Sequence, residues 1–276
     1  MKPLVSTEWL AENLGEVLVF DCTFYLPTEK RDAKAEFAAG HIPSAGLFDI
    51  EVIADPDTDL PHMVPTPGRF ARLVGELGIT NASRVVFYDQ KGINSAARGW
   101  WMMELFGHDR SAVLDGGLPK WVAEGRSLEA GLPPRAKPVI FRPDFRATRL
   151  RGIGDMLANT QSRAEIVLDA RPAARFNGTA IEPRPGMRSG HIPGAVNLPI
   201  AEVLTAQQTL LPVPELRAKL ASLGIDGTKP VVTSCGSGVT ATVLTLAMAR
   251  AGLPSGAVYD GSWSEWGGRT DTPVEI

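Results

Sequence analysis

Cys235 is one of only two cysteines in a chain of 276 residues, and its surroundings make it the first candidate for chemistry. It stands at the head of a short loop, Cys235-Gly236-Ser237-Gly238-Val239-Thr240, that follows the apolar run Val231-Val232-Thr233-Ser234 and precedes "ATVLTLAMARAG". The run before it reads as a buried strand, and the run after it as a helix that Gly252 can terminate. Gly236 and Gly238 tolerate backbone angles that other residues avoid, so the chain can turn sharply between the two elements. A loop of small residues opening a helix aims successive backbone N–H groups inward, and with the helix dipole behind them such a concavity favours negative charge. A thiol at its base is expected to titrate below the ordinary cysteine range and to act as a thiolate nucleophile. Cys22, in "VFDCTFY", lacks these neighbours and reads as a small buried apolar residue.

Arg175 and Arg184 are the second chemical feature. They lie nine residues apart in "RFNGTAIEPRPG", a loop-like segment of Gly and Pro. A pair of guanidinium forks suits a planar carboxylate. Arg171 follows a strand-end aspartate and reads as structural. His41 and His191 each sit in a "GHIP" segment; they recur in both halves although one half alone has the loop cysteine, which also favours a structural role. The two cysteines cannot form a cysteine-rich zinc site, and the four histidines are scattered, so no metal and no organic cofactor is expected.

The elements that must hold these residues are written twice. "FAAGHIPSAGLFDI", from Phe37, recurs as "MRSGHIPGAVNLPI", from Met187. A short strand ending in aspartate precedes each copy, at Asp21 and Asp169, and another strand follows, ending at Asp89 and Cys235. Each half closes on a turn and a tryptophan, "VLDGGLPKW" and "VYDGSWSEW". The repeat predicts two domains of similar fold, residues 1–130 and 148–276, joined by the proline-rich linker 131–147. Within each, Val- and Ile-rich strands alternate with helical stretches that end near Gly78 and Gly224. That order predicts an α/β fold, a mostly parallel sheet flanked by helices. Aligning the copies sets Asp89 opposite Cys235. A carboxylate there cannot accept a sulfur atom, so the N-terminal copy is expected to be catalytically silent.

Composition excludes several classes. Hydrophobic residues at 44% and charged residues at 21% are ordinary for a globular chain. A formal net charge of −3 gives no field to recruit nucleic acid or an anionic membrane. The N-terminus has no signal-peptide core, no run approaches a membrane span, and two cysteines make no disulfide framework. The expected setting is the cytoplasm.

The loop "CGSGVTA", from Cys235, resembles that of the two-domain rhodanese-like sulfurtransferases, within them the branch using 3-mercaptopyruvate; the paired "GHIP" segments and "YDGSWSEW" extend the likeness over nearly the whole chain. Thiosulfate-preferring members usually carry Arg-Lys where this chain has Gly236-Ser237. The resemblance implies tandem rhodanese-like domains and transfer of sulfane sulfur from 3-mercaptopyruvate, through a Cys235 persulfide, to a thiol, possibly thioredoxin, or to cyanide, with release of pyruvate. It implies that Arg175 and Arg184 grip the donor and that the loop residues Gly236, Gly238, Val239 and Thr240 line its site. Ser237 reads either as a turn residue or as part of a set with His62 and an acid, Glu51, with Asp49 the second candidate. Two other readings remain open: a thiosulfate sulfurtransferase, and a non-catalytic persulfide-carrying or binding module. A cysteine phosphatase is disfavoured, because the loop has no arginine at its end.

Overall fold

The structure is a computed structural model and describes all residues from Met1 to Ile276. It contains two five-stranded sheets in which every strand pair is parallel. The first comprises β1 (Leu4–Val5), β2 (Leu18–Asp21), β3 (Gly46–Leu47), β4 (Val85–Tyr88) and β5 (Ser111–Leu114), in the order β1-β5-β4-β2-β3. The second comprises β6 (Leu150–Arg151), β7 (Ile166–Asp169), β8 (Val196–Asn197), β9 (Val231–Ser234) and β10 (Ala257–Tyr259), in the order β6-β10-β9-β7-β8. The two orders are the same when each sheet is counted from its own first strand. The helices of the first half are α1 (Thr7–Asn13), α2 (Ala33–Ala39), α3 (Ile50–Ile53), α4 (Pro67–Glu76), α5 (Ala96–Leu105) and α6 (Gly117–Ala123). Those of the second are α7 (Ile153–Ser162), α8 (Ala173–Phe176), α9 (Val213–Ser222), α10 (Ala241–Arg250) and α11 (Ser262–Trp266). No helix is long and apolar enough to cross a membrane.

The repeated motifs occupy matching places. His41 and His191 each lie flat on a phenylalanine at the end of the preceding helix, Phe37 at 4.0 Å and Phe176 at 3.8 Å between ring centroids. Each bonds that phenylalanine's carbonyl through Nδ1 at 3.0 Å. Each also forms an isolated bridge to a distant glutamate, Glu129 or Glu275, whose carboxylate accepts the backbone N–H of Ser44 or Gly194 at 2.8 Å. Ser44 and Gly194 differ for a local reason: both have positive φ, but a side chain on Gly194 would overlap the Arg163 guanidinium, which reaches the Pro193 carbonyl. The closing tryptophans, Trp121 and Trp266, are buried and donate to the carbonyls of Ser127 and Pro273.

The compact units depart from the boundaries expected from the repeat. Residues 1–55, 64–146 and 206–210 form one unit; residues 56–63, 147–205 and 211–276 form the other. The segment expected as a linker, 131–147, packs almost wholly with the first unit. Val139 donates to Gly75 at 3.0 Å, Asp144 to Phe106 at 2.9 Å and Arg146 to Leu105 at 2.8 Å, and Phe141 is buried. Those backbone bonds and that aromatic anchor hold a proline-rich strap that its composition would otherwise leave free.

Candidate functional site

In the second unit the site is assembled at the carboxyl ends of three neighbouring strands, β7, β9 and β10, where open parallel sheets offer their ligand crevice. The central strand β9 is buried along its whole length and delivers Cys235, which is 2% exposed. Helix α10 begins at Ala241, after five intervening residues. It is buried on nearly all sides from Ala241 to Met248, so it behaves as a core helix and gives the loop a rigid back wall. Thr233 on β9 and Thr245 on α10 pair their buried hydroxyls at 3.0 Å, tying strand to helix beneath the loop. Gly238 takes φ of +75°, the left-handed conformation that lets the chain turn into α10.

The loop's main chain is clamped by the turn after β10. The Cys235 N–H donates to the Ser262 hydroxyl at 3.1 Å, and that hydroxyl donates to the Tyr259 carbonyl at 2.8 Å. The Cys235 carbonyl accepts from the Trp263 N–H at 3.0 Å. The Gly236 carbonyl accepts twice from Ser264, from its N–H at 2.8 Å and its hydroxyl at 2.7 Å. Ser262 and Ser264 have no catalytic signature in "DGSWSEW"; their importance lies in reaching across to β9, which sequence order does not disclose.

The first copy of the loop holds a carboxyl group among its main-chain N–H donors. Asp89, the counterpart of Cys235, is fully buried, and its Oδ2 accepts from the N–H groups of Asn94 at 2.7 Å and Ala96 at 2.9 Å. Its Oδ1 accepts from the Lys91 N–H at 2.9 Å. Burial pushes this carboxyl's pKa up, while the three amides pull it down. The counterparts of those donors in the second copy are Thr240, Thr242 and Ser237. The Thr242 N–H there points at the Val239 carbonyl, at 3.3 Å.

Beside the loop, Arg175 projects from α8. Its Nη2 lies 3.1 Å from the point at which a side chain on Gly236 would begin, so the guanidinium occupies the space that a larger residue would need. Its Nε and Nη2 both donate to Glu182 Oε2. Glu182 Oε1 accepts from Arg171 Nη1 at 2.8 Å. Arg171 is buried, bonds Asp169 and the Gly190 carbonyl, and lies 4.3 Å over the Trp263 ring. Two arginines and two carboxylates thus form a chain running inward from the loop, and removing one member would strand its partner's charge in the interior. Sequence reasoning set Arg171 aside as structural, which its burial matches, and missed Glu182 altogether.

Arg184 and His62 meet, with Arg184 Nη2 3.3 Å from His62 Nε2. A guanidinium has no acceptor, so in this bond Nε2 is the acceptor. His62, in the borrowed segment 56–63, is buried and takes φ of +60°. Ser237 is buried in the same unit. Glu51 is exposed on α3 of the first unit, and Asp49 caps that helix through the N–H groups of Glu51 and Val52 while pairing with Lys34 at 2.9 Å. Arg188 is a strut, bonding the carbonyls of Gly267, Trp266 and Thr272.

Comparison with known proteins agrees with the architecture. The family described as "Rhodanese-like domain" matches residues 6–124 and 154–269. The chain is 41% identical to the 3-mercaptopyruvate sulfurtransferase of Escherichia coli (strain K12), over 98% of this chain and 97% of that protein. It is 40% identical to thiosulfate/3-mercaptopyruvate sulfurtransferase 1, mitochondrial, of Arabidopsis thaliana, over 99% and 78%. Among solved structures, the crystal structure of SseA from Escherichia coli superposes with a TM-score of 0.85 at 36% identity, covering 95% of this chain and 99% of that one.

Proposed function

The chain belongs to the rhodanese-like family, and from that premise we propose that it is a sulfurtransferase that takes sulfur from 3-mercaptopyruvate and carries it on Cys235. The observation that carries this reading is the pairing of a cysteine with a guanidinium at one loop: Cys235 heads the turn from β9, and Arg175 packs against the next residue, Gly236. Relatives bearing that activity in their names align over almost the full length of both chains.

The cycle has two displacements. The Cys235 thiolate attacks the sulfur of 3-mercaptopyruvate; an S–S bond forms and the C–S bond breaks. The electron pair released passes into the carbonyl as the enolate of pyruvate, which takes up a proton and leaves. The new persulfide gives up its own proton and remains as an anion on its outer sulfur. Arg175 and Arg184 bind the donor's carboxylate and carbonyl, hold the C–S bond in line and offset charge on the forming enolate. The Ser237 and Thr240 amides receive the outer sulfur, an assignment supported by their counterparts in the first copy, Lys91 and Asn94, whose N–H groups donate to the Asp89 carboxyl. An acceptor thiolate, from thioredoxin or a small thiol, or cyanide then attacks that sulfur and restores Cys235. The cycle calls for no cofactor.

The first copy, with Asp89 in place of the thiol, carries no sulfur and serves as scaffold. Ser237 and His62 assist Cys235 in this reading. Gly236, Gly238, Val239 and Thr240 line the donor's site. The two cysteines are free thiols, compatible with a reducing cytoplasm.

Mass spectrometry of the protein after brief treatment with 3-mercaptopyruvate tests the proposal. A gain of about 32 Da, one sulfur, on the peptide containing Cys235 is expected, with loss of the adduct and of pyruvate release in Cys235→Ser. An unmodified Cys235 beside continued pyruvate release would overturn it. The name of the Arabidopsis relative also favours thiosulfate as a second donor; turnover measured with both donors ranks them.

A further inference from the structure

Glu182 links two arginines that stand in unequal surroundings. Arg171 is fixed on several sides, by Asp169, by the Gly190 carbonyl at 2.9 Å and by the face of Trp263. Arg175 is partly exposed and borders the Cys235 loop at Gly236. Between them the Glu182 side chain is turned inward and buried, although the preceding Ile181 is 92% exposed. One carboxylate oxygen is given to Arg171 and the other to Arg175.

We infer that Glu182 is a positioning residue for the sulfur donor: it transmits the fixed place of Arg171 to Arg175 and decides which edge of the Arg175 guanidinium is offered to the substrate carboxylate. The inference rests on the reading that Arg175 binds 3-mercaptopyruvate. Glu182 occupies the edge formed by Nε and Nη2. The edge left to a ligand is that of Nη1 and the second Nη2 hydrogen, which can receive a carboxylate with two parallel bonds. Asp169 and Glu182 together balance the charges of Arg171 and Arg175. These four groups are therefore neutral as a whole, and what Arg175 adds to the donor's affinity comes from how its fork is aimed.

That balance makes the test two-sided. Glu182→Gln removes a negative charge and leaves the cluster one unit more positive. If Glu182 acted through charge alone, the variant would bind the anionic donor more tightly and KM would fall. If it positions Arg175, the guanidinium loses its anchor and KM rises. Steady-state kinetics with 3-mercaptopyruvate, on the full chain, should give a KM raised about tenfold, the loss of one charge-assisted contact, with kcat lowered as well because Arg175 also offsets charge on the forming enolate. In an Arg175→Ala background the same change should add nothing, because the arginine through which it acts is gone. A KM that falls or stays constant, or an equal rise in both backgrounds, overturns the inference. Should Glu182→Gln fail to fold, Glu182→Asp keeps the charge on a stem one methylene shorter that cannot reach both arginines. It should raise KM whatever its effect on Tm, and an unchanged KM counts against the inference. A wild-type protein that releases no pyruvate from 3-mercaptopyruvate would instead refute the donor reading, a distinct outcome.

Discussion

The backbone N–H of Cys235 donates to the hydroxyl of Ser262 at 3.1 Å. This bond joins the turn after β9 to the turn after β10, and Ser262 adopts φ of +48° to make it. The serine is fully buried, so no water stands ready to replace it. Ser262→Ala leaves the Cys235 amide without its partner, at a cost of about 1–3 kcal/mol. The variant should unfold at lower urea concentration. It should also lose kcat more than KM, since the nucleophile's backbone moves while the arginines stay.

Arg184 and His62 are coupled in the same way. Arg184→Ala removes a charge-assisted contact to the donor and should lower kcat/KM for 3-mercaptopyruvate by about ten- to a hundredfold. His62→Asn suits the left-handed backbone at this position, which Asn tolerates, and removes the imidazole that accepts from Arg184. Its effect on KM should be smaller, and the KM of the double variant should be no higher than that of Arg184→Ala alone, while kcat falls with the loss of His62 in either background. Additive effects would separate the two residues.

Gly236→Ala probes the space beside Arg175. The added methyl would stand 3.1 Å from Nη2, so the guanidinium must yield by a few tenths of an ångström. The expected result is an unchanged Tm and a KM for 3-mercaptopyruvate raised several-fold, the signature of a mis-aimed fork. A collapse in Tm would mean that the glycine serves the fold instead.

Acid stability should depend on His108. The residue is buried in the first unit, and burial pushes its pKa below the ordinary imidazole value. The unfolded chain therefore binds a proton at a pH where the folded one does not. Stability from this group is complete above about pH 6.5 and is lost progressively as the pH falls below it. Tm measured from pH 7.5 to 5 should decline, and His108→Gln should flatten that slope. An unaltered slope would assign the acid sensitivity to other groups.

Much of the fold was legible in the linear order of residues. The strands that end at or just before Asp21, Asp89, Asp169 and Cys235, the helices ending near Gly78, Gly224 and Gly252, and the doubled "GHIP" segments stand where periodicity and repetition put them. The unit boundaries were less legible. The segment 56–63 joins the second unit, 206–210 joins the first, and the proline-rich strap 131–146 lies down on the first. Repetition reports ancestry of sequence, while packing follows contact.

The residues that could do chemistry were also legible, because cysteine, arginine and histidine announce themselves by type. Their supports were not. Ser262, Ser264 and Glu182 are ordinary residues in ordinary composition, and each matters through a partner 7 to 28 positions away. The sequence by itself determined two parallel α/β halves and a glycine-rich loop headed by a cysteine on one of them, since apolar periodicity and glycine placement act locally along the chain. Only the tertiary structure decided that Glu182 binds two arginines and that Ser262 holds the Cys235 amide. A hydrogen bond depends on distance and direction in space, and those exist only after the strands have been laid side by side.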